Sequence, residues 1–393
     1  MAILPTELYE RVIDARAAED LLYGAVLEHY SKLTYSNLLS CALTCRAWLP
    51  RSRYHILRTI HITSQTTLYR LEGALHNTHR TPVVFDRLIV DPRRDSWISF
   101  CLRLSSIACQ IRSLAFTGGL CQFAHPSLFM TLPLFRLVST LSLTTSDFTS
   151  LHQLIRLIHC FPNLRHLRLH DTFEPIRLAH VEESFVSSPN ESLLVCLTQL
   201  EIYSDLEQMV AGIEDWLTVS GSAASLQHVS LYSAWARSMA SVSSAREMLS
   251  AASVTLQYLE ISLSVNGPEM LDRLGLHEIT FYELKCIRFW INARPQDGIH
   301  SLCKVLHKLS GSLSIRRMEF RMVIRTQENI SDLAWIELDT ALSRPHFREM
   351  ESLTIYLEVK EKSYQEVLQM HPPVDLLKMM RARKPFNLLL IIS

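Results

Sequence analysis

Glycine is scarce in this chain, at 10 of 393 residues. That counts against folds built on Gly-rich phosphate loops, and no G-x-G-x-x-G or G-x-x-x-x-G-K-[ST] occurs. H-E-x-x-H, G-x-S-x-G and an EF-hand loop are missing too, so no motif points to catalysis. Long apolar runs are missing as well. Nothing reaches the ~18–20 residues of a membrane span, and the late run "LLLII" (388–392) fits one buried strand. Glu7, Glu10 and Arg11 interrupt any apolar core at the N-terminus, which argues against a signal peptide. The expectation is a cytoplasmic or nuclear chain. Charge of one sign is also lacking: Lys+Arg and Asp+Glu both count 39. No global field draws the chain to nucleic acid or to a membrane, and the short basic spots "DPRRD" (91–95) and "RARK" (381–384) read as solvated surface.

The nine cysteines form no C-x-x-C. In a reducing compartment they read as small apolar residues. Cys41 and Cys45 stand one helical turn apart, but no second pair follows at finger spacing. The histidines of "HNTH" (76–79) and "HLRLH" (166–170) have no third ligand placed by the sequence. No metal and no cofactor is expected.

What is present is repetition. The hexad apolar-x-x-apolar-x-apolar begins at residues 57, 85, 111, 138, 164, 197, 226, 256, 284, 315, 350 and 386. Examples are "LRHLRL" (164–169), "LTQLEI" (197–202) and "LQHVSL" (226–231). Alternation inside each hexad is the mark of a strand with one buried face. Between hexads lie stretches with an apolar stripe at helical spacing: 151–161, 206–217 and 297–309. One strand and one helix in about 30 residues cannot bury their own apolar faces, whereas stacked copies can. The fold class expected is therefore α/β, with residues 57–393 forming an irregular solenoid of about twelve strand–helix units. This pattern resembles the leucine-rich-repeat horseshoe, which implies strands on the concave side. The family places Asn or Cys eight residues after the first leucine. Among the first eleven units only Asn292 fits.

The N-terminal 56 residues differ. "LPTELYERVID" (4–14) places Pro5 and Glu7 where a helix begins. After a stretch at about 15–37, Ser36 and Asn37 offer a cap for a second helix through "LLSCALTCRAW", which Pro50 ends before a short helix over 51–57. The order LP-x-E-L followed by C-x-x-x-C-R-x-W resembles the F-box of fungal, basidiomycete-type F-box proteins, with 15–37 as an insertion where the family has a short loop.

The resemblance implies a helical trio that docks on a Skp-type adaptor and through it on a cullin. It also implies a repeat domain that binds a protein substrate, with no bond chemistry in the chain itself. By position Leu4, Pro5, Leu8, Ile13, Leu39, Leu43 and Trp48 serve the adaptor-facing surface or the core of the trio. Strand positions between the apolar ones are candidates for reading the substrate: Arg165, His166 and Arg168; Gln199 and Glu201; Gln227, His228 and Ser230. Trp290, just past "LKCIRF", is a further candidate, weighed against core packing. The alternative is a repeat scaffold whose insertion has cost it the adaptor. Packing of 4–14 against 38–57 favours the first reading, and separation the second.

Overall fold

The computed structural model describes residues 7–15, 17, 36–77, 85–91, 110–117, 127–144, 148, 150–170, 195–203, 207–232, 239–263, 274–291, 300, 302–304, 306–307, 315–324, 335–344, 347, 349–359 and 387–392. Leu4, Pro5, Asn292 and most of the 15–37 stretch lie outside them. The chain divides into two compact units, Met1–Ser139 and Thr140–Ser393.

The first unit opens with helices: α1 over residues 7–15, α2 at Ser36–Thr44 and α3 at Leu49–Arg58. Strand β1 (Thr59–Ile62) follows without a linker, then α4 (Gln65–Asn77), β2 (Arg87–Val90), β3 (Ser113–Thr117) and the short α5 (Ser127–Thr131). The three strands are parallel, in chain order. The boundary expected at 56/57 falls inside α3, so helices and first strand are one continuous build.

Pro50 has a different role from the one read off the sequence. It lies in the first turn of α3, where its missing N–H is no loss. The second helix already ends at Thr44, and Trp48 is the N-cap residue of α3, outside the second helix.

The second unit carries nine parallel strands, each beside its predecessor: β4 (Thr140–Thr144), β5 (His166–His170), β6 (Gln199–Tyr203), β7 (His228–Tyr232), β8 (Tyr258–Leu263), β9 (Cys286–Ile291), β10 (Arg317–Ile324), β11 (Ser352–Val359) and β12 (Asn387–Ile392). The helices described between them are α6 (Leu151–His159), α7 (Glu207–Val219), α8 (Met239–Ala252) and α9 (Trp335–Leu342). This is an α/β arrangement of the solenoid kind, and every hexad coincides with a strand. Most strands start two residues after the hexad's first apolar residue. That residue, such as Leu164, Leu197, Leu226 or Leu256, is buried ahead of the strand, and the single residue between it and the strand lies in the turn.

Register aligns the apolar positions into continuous rows. Leu167, Leu200, Val229, Leu259 and Ile287 are neighbours on adjacent strands, and all are buried. A fully buried side chain of this size contributes about 1.5–3 kcal/mol, and the row repeats it strand by strand. The turns are joined in the same way. The carbonyl of Arg165 accepts the N–H groups of Thr198 and Gln199 at 2.8 and 3.0 Å. The carbonyls of Thr198, Gln227, Gln257, Lys285 and Arg316 repeat this double acceptance with the next unit. A side-chain hydroxyl adds to this: Thr255 Oγ1 donates to the carbonyls of Ala224 and Leu226, both at 2.9 Å.

The helices follow from their sequences. Ser150 caps α6, its Oγ accepting the N–H of Gln153, and Leu151, Leu154, Leu157 and Ile158 form the buried stripe. Gly212 on α7 lets α6 come close, because a Cβ there would stand 2.9 Å from Leu151 Cδ2. Gly221 and Gly275 start short 3₁₀ turns with φ of 76° and 63°, a conformation that favours glycine.

Candidate functional site

Two surfaces stand out, one in each unit. In the first unit the two halves of the N-terminal segment pack together. Ile13, Ala17 and Leu38 form a small core, with Cys41, Trp48 and Ile56 against it. Tyr9 lies beside Trp48, ring centroids 5.9 Å apart. A polar clamp reinforces the join. Arg51 donates from Nε and Nη2 to the two oxygens of Asp14, each at 2.7 Å, and His55 Nε2 meets Asp14 Oδ1 at 2.8 Å. The Arg51 hydrogen bond, helped by His55 against the cost of burial, holds the Asp14 carboxyl down to about 2.

That packing separates core from surface. Ile13 is 1% exposed and belongs to the core, so a partner cannot reach it without opening the trio. Trp48 is half-buried against the same core. Leu8, Leu39 and Leu43 are 44%, 49% and 85% exposed, and Val12 and Tyr54 are exposed as well. Short helices thus present large aliphatic side chains outward while their own core is filled by others. Scattered exposed leucines are ordinary, but a concentration on so small an element is the mark of a contact surface.

In the second unit the candidates lie on the polar face of the strands, opposite the buried rows. Register sets them side by side. His166, Gln199 and His228 share one row, and Arg168, Glu201 and Ser230 the next. Arg165 and Gln227 are exposed in the turns just before their strands. Ser230 is buried at 7%, because its Oγ reaches across to Glu260 Oε2 at 3.2 Å.

Glu260 is the hub of the face, and sequence reading missed it. It is 4% exposed. Its carboxylate accepts the Tyr258 hydroxyl at 3.0 Å, Arg288 Nη1 at 3.3 Å and the indole N–H of Trp290. Arg288 also donates to Glu319 Oε2, at 2.7 Å from Nε. Arg168 Nε lies 3.1 Å from Glu201 Oε2, an ion pair by distance whose N–H does not point along the contact. Gln199 donates its amide to Glu201.

Beyond this charged row runs an aromatic one. His170 stacks on Tyr203 at 4.1 Å and Tyr203 on Tyr232 at 3.8 Å. Tyr232 meets Trp290 edge-on at 5.7 Å, and the Arg321 guanidinium lies over the Trp290 ring at 4.2 Å. Trp290 is therefore a polar-face residue with an anchored N–H, not part of the apolar core.

Titration follows the packing. Burial, with Arg168 nearby, holds His170 down to about 4, and His166 and His228 are also lowered, chiefly by burial. Burial raises Tyr203 to about 12, and Tyr232 and Tyr258 rise further beside the Glu260 carboxylate. Burial opposes the charge on Arg288, but Glu260, Tyr258 and Glu319 outweigh it and raise its pKa. At neutral pH the rings are neutral and the guanidinium charged. Among the described residues no group of three His, Cys, Asp or Glu could hold a metal ion, and no helix is long and apolar enough to cross a membrane.

One further group stands alone. Glu214 on α7 is fully buried, and neither carboxylate oxygen has a hydrogen-bond partner. Burial, with Asp215 adjacent, pushes its pKa far above the ordinary carboxylate range.

The missed residues had a legible signal. Written one beneath another, the hexads place Glu201, Glu260, Arg288 and Glu319 in one column. Tyr203, Tyr232, Trp290 and Arg321 fall in the column just after the hexad. No protein-family model matches the chain, and no curated protein matches it.

Proposed function

We propose that the chain is the substrate-recognition subunit of a Skp–cullin–F-box ubiquitin ligase, the trio docking on the Skp-type adaptor and the polar strand face binding a protein substrate. One observation carries the reading. Residues 7–17 and 36–58 pack around Ile13 and Leu38, clamped by Asp14 and Arg51, and turn Leu8, Leu39 and Leu43 outward. Amphipathic helices with apolar anchors suit insertion into a partner's groove. The packing favours this reading over the scaffold alternative, which gains where the two halves lie apart. In this role the chain breaks no bond. It raises the substrate's effective concentration beside a ubiquitin-charged enzyme.

The test is capture of a purified fungal Skp-type adaptor by the full chain. Leu39→Asp/Leu43→Asp, both exposed positions, keeps the wild-type circular dichroism and loses at least about tenfold in adaptor affinity, since each buried leucine is worth about 1.5–3 kcal/mol. A folded wild type that captures no adaptor overturns the reading and leaves the scaffold.

A further inference from the structure

The strand face of the second unit has an uneven balance of charge. Its acids are answered from within: Glu201 by Arg168 and Gln199, Glu260 by Arg288, Tyr258, Ser230 and Trp290, and Glu319 by Arg288. Among the described residues of this face the cations outnumber the acids. Arg317 and Arg321 stand on β10, and the turns leading into β5, β9 and β10 carry Arg165, Lys285 and Arg316 against no acid in the turns leading into β6, β7 and β8. Among the described residues Lys285 and Arg316 have exposed acidic partners, Glu283 at 3.9 Å and Glu351 at 3.4 Å. Arg165 and Arg317 are exposed and make no ion pair among the described residues. Among the described residues this face is thus net positive, in a chain with equal numbers of acids and bases.

The same face holds its aromatics rigidly. Stacking fixes Tyr203 and Tyr232, and the bond to Glu260 fixes Trp290, so little side-chain entropy is left to lose on binding. Anchored aromatic rings flanked by guanidinium groups are the composition of interface hot spots.

We propose that the strand face from β5 to β10 binds an acidic segment of a partner protein, its carboxylates meeting Arg165, Arg317 and Arg321 and its apolar side chains the edges of Tyr232 and Trp290. This rests on the reading of that face as the substrate side, and deepens it by naming the class of substrate. Guanidinium groups pair with carboxylates in a bidentate way that ammonium groups do not. The interaction weakens as salt rises, because exposed charges are screened within about 8 Å at physiological ionic strength.

The probe is a fluorescent random Glu/Tyr copolymer, titrated into the full chain by anisotropy beside a Lys/Tyr copolymer of equal length. Binding of the acidic polymer at least about tenfold tighter than the basic one is expected. Arg317→Glu/Arg321→Glu abolishes that preference and Trp290→Ala weakens binding, with circular dichroism unchanged. If Trp290→Ala loosens the fold, the Arg165→Glu variant, at an exposed turn, still lowers affinity. Equal binding of both polymers, or no effect of the charge reversals, overturns the proposal. So does equally tight binding of heparin, which would mark a general polyanion surface. The Leu39→Asp/Leu43→Asp chain separates this proposal from the adaptor reading, because it binds the copolymer as the wild type does whatever happens to adaptor capture.

Discussion

The trio of the first unit and the strand face of the second solve the problem of a contact surface in opposite ways. The trio exposes aliphatic side chains without polar partners: Leu8, Leu39 and Leu43 protrude from helices stabilised elsewhere by Ile13, Leu38 and the Asp14–Arg51 clamp. The strand face exposes almost no aliphatic surface and binds its polar groups to one another through Glu260 and Arg288. The first kind of surface gains from being covered by anything apolar of the right shape. The second gains only from a partner that matches its charges and rings, because each buried polar group left unmatched costs about 1–3 kcal/mol. One surface therefore offers generic affinity and the other discrimination.

Four substitutions sharpen the contrast. The largest effect is expected beneath the strand face. Leu200 is fully buried between Leu167 and Val229, and Leu200→Ala costs about 2–5 kcal/mol of stability, whereas Leu43→Ala at the trio's surface changes stability by less than about 0.5 kcal/mol. Urea denaturation of the two variants measures the difference, and equal losses would mean Leu43 is packed.

Next comes Glu214. Its folded pKa is raised, so the stability it permits is fully present below the unfolded value of 4.5 and lost as pH rises towards the folded value. Glu214→Met therefore stabilises by about 1–3 kcal/mol at pH 7, and the gain shrinks as pH falls to 4. Thermal melts at the two pH values decide it. A gain independent of pH would mean the carboxyl binds its proton equally in the folded and unfolded states, so that its pKa is not raised.

The smallest effect is at the clamp. Asp14 is depressed to about 2, so its contribution is present above the unfolded value of 3.8 and lost as pH falls towards 2. The pair is about two-fifths exposed, which keeps Asp14→Asn to about 0.5–1 kcal/mol. The more telling readout is Trp48 fluorescence, which shifts if the two halves of the trio loosen, and an unchanged spectrum would assign the join to Ile13 and Leu38 alone.

Much of the fold was legible because its signals are local. A strand announces itself by alternation within six residues, and twelve hexads needed no long-range information. The apolar stripe of α6 was legible for the same reason. The break before Trp48 was not. A proline seen from the sequence is equally good at ending one helix and starting another, and the turn at Cys45–Trp48 chose the second. The split between Ile13 and its neighbours was hidden too, since an amphipathic helix does not say which apolar residues its partner helix will cover.

On the strand face His166, Arg168, Glu201, Ser230 and Glu260 all fall at outward positions of the hexads, but the role of Glu260 as shared acceptor was not legible. Its partners Ser230, Trp290 and Arg288 stand 28–30 residues away along the chain and come within reach only through the parallel register.

The sequence alone thus determined which residues are strands, which side of each strand is apolar, and that one unit must stack on the next, because periodicity is a property of neighbours in the chain. Only the tertiary structure decided which aliphatic side chains stay outside, which acids are neutralised, and where positive charge is left over. Those are properties of neighbours in space, and they are set by packing and by the exclusion of water.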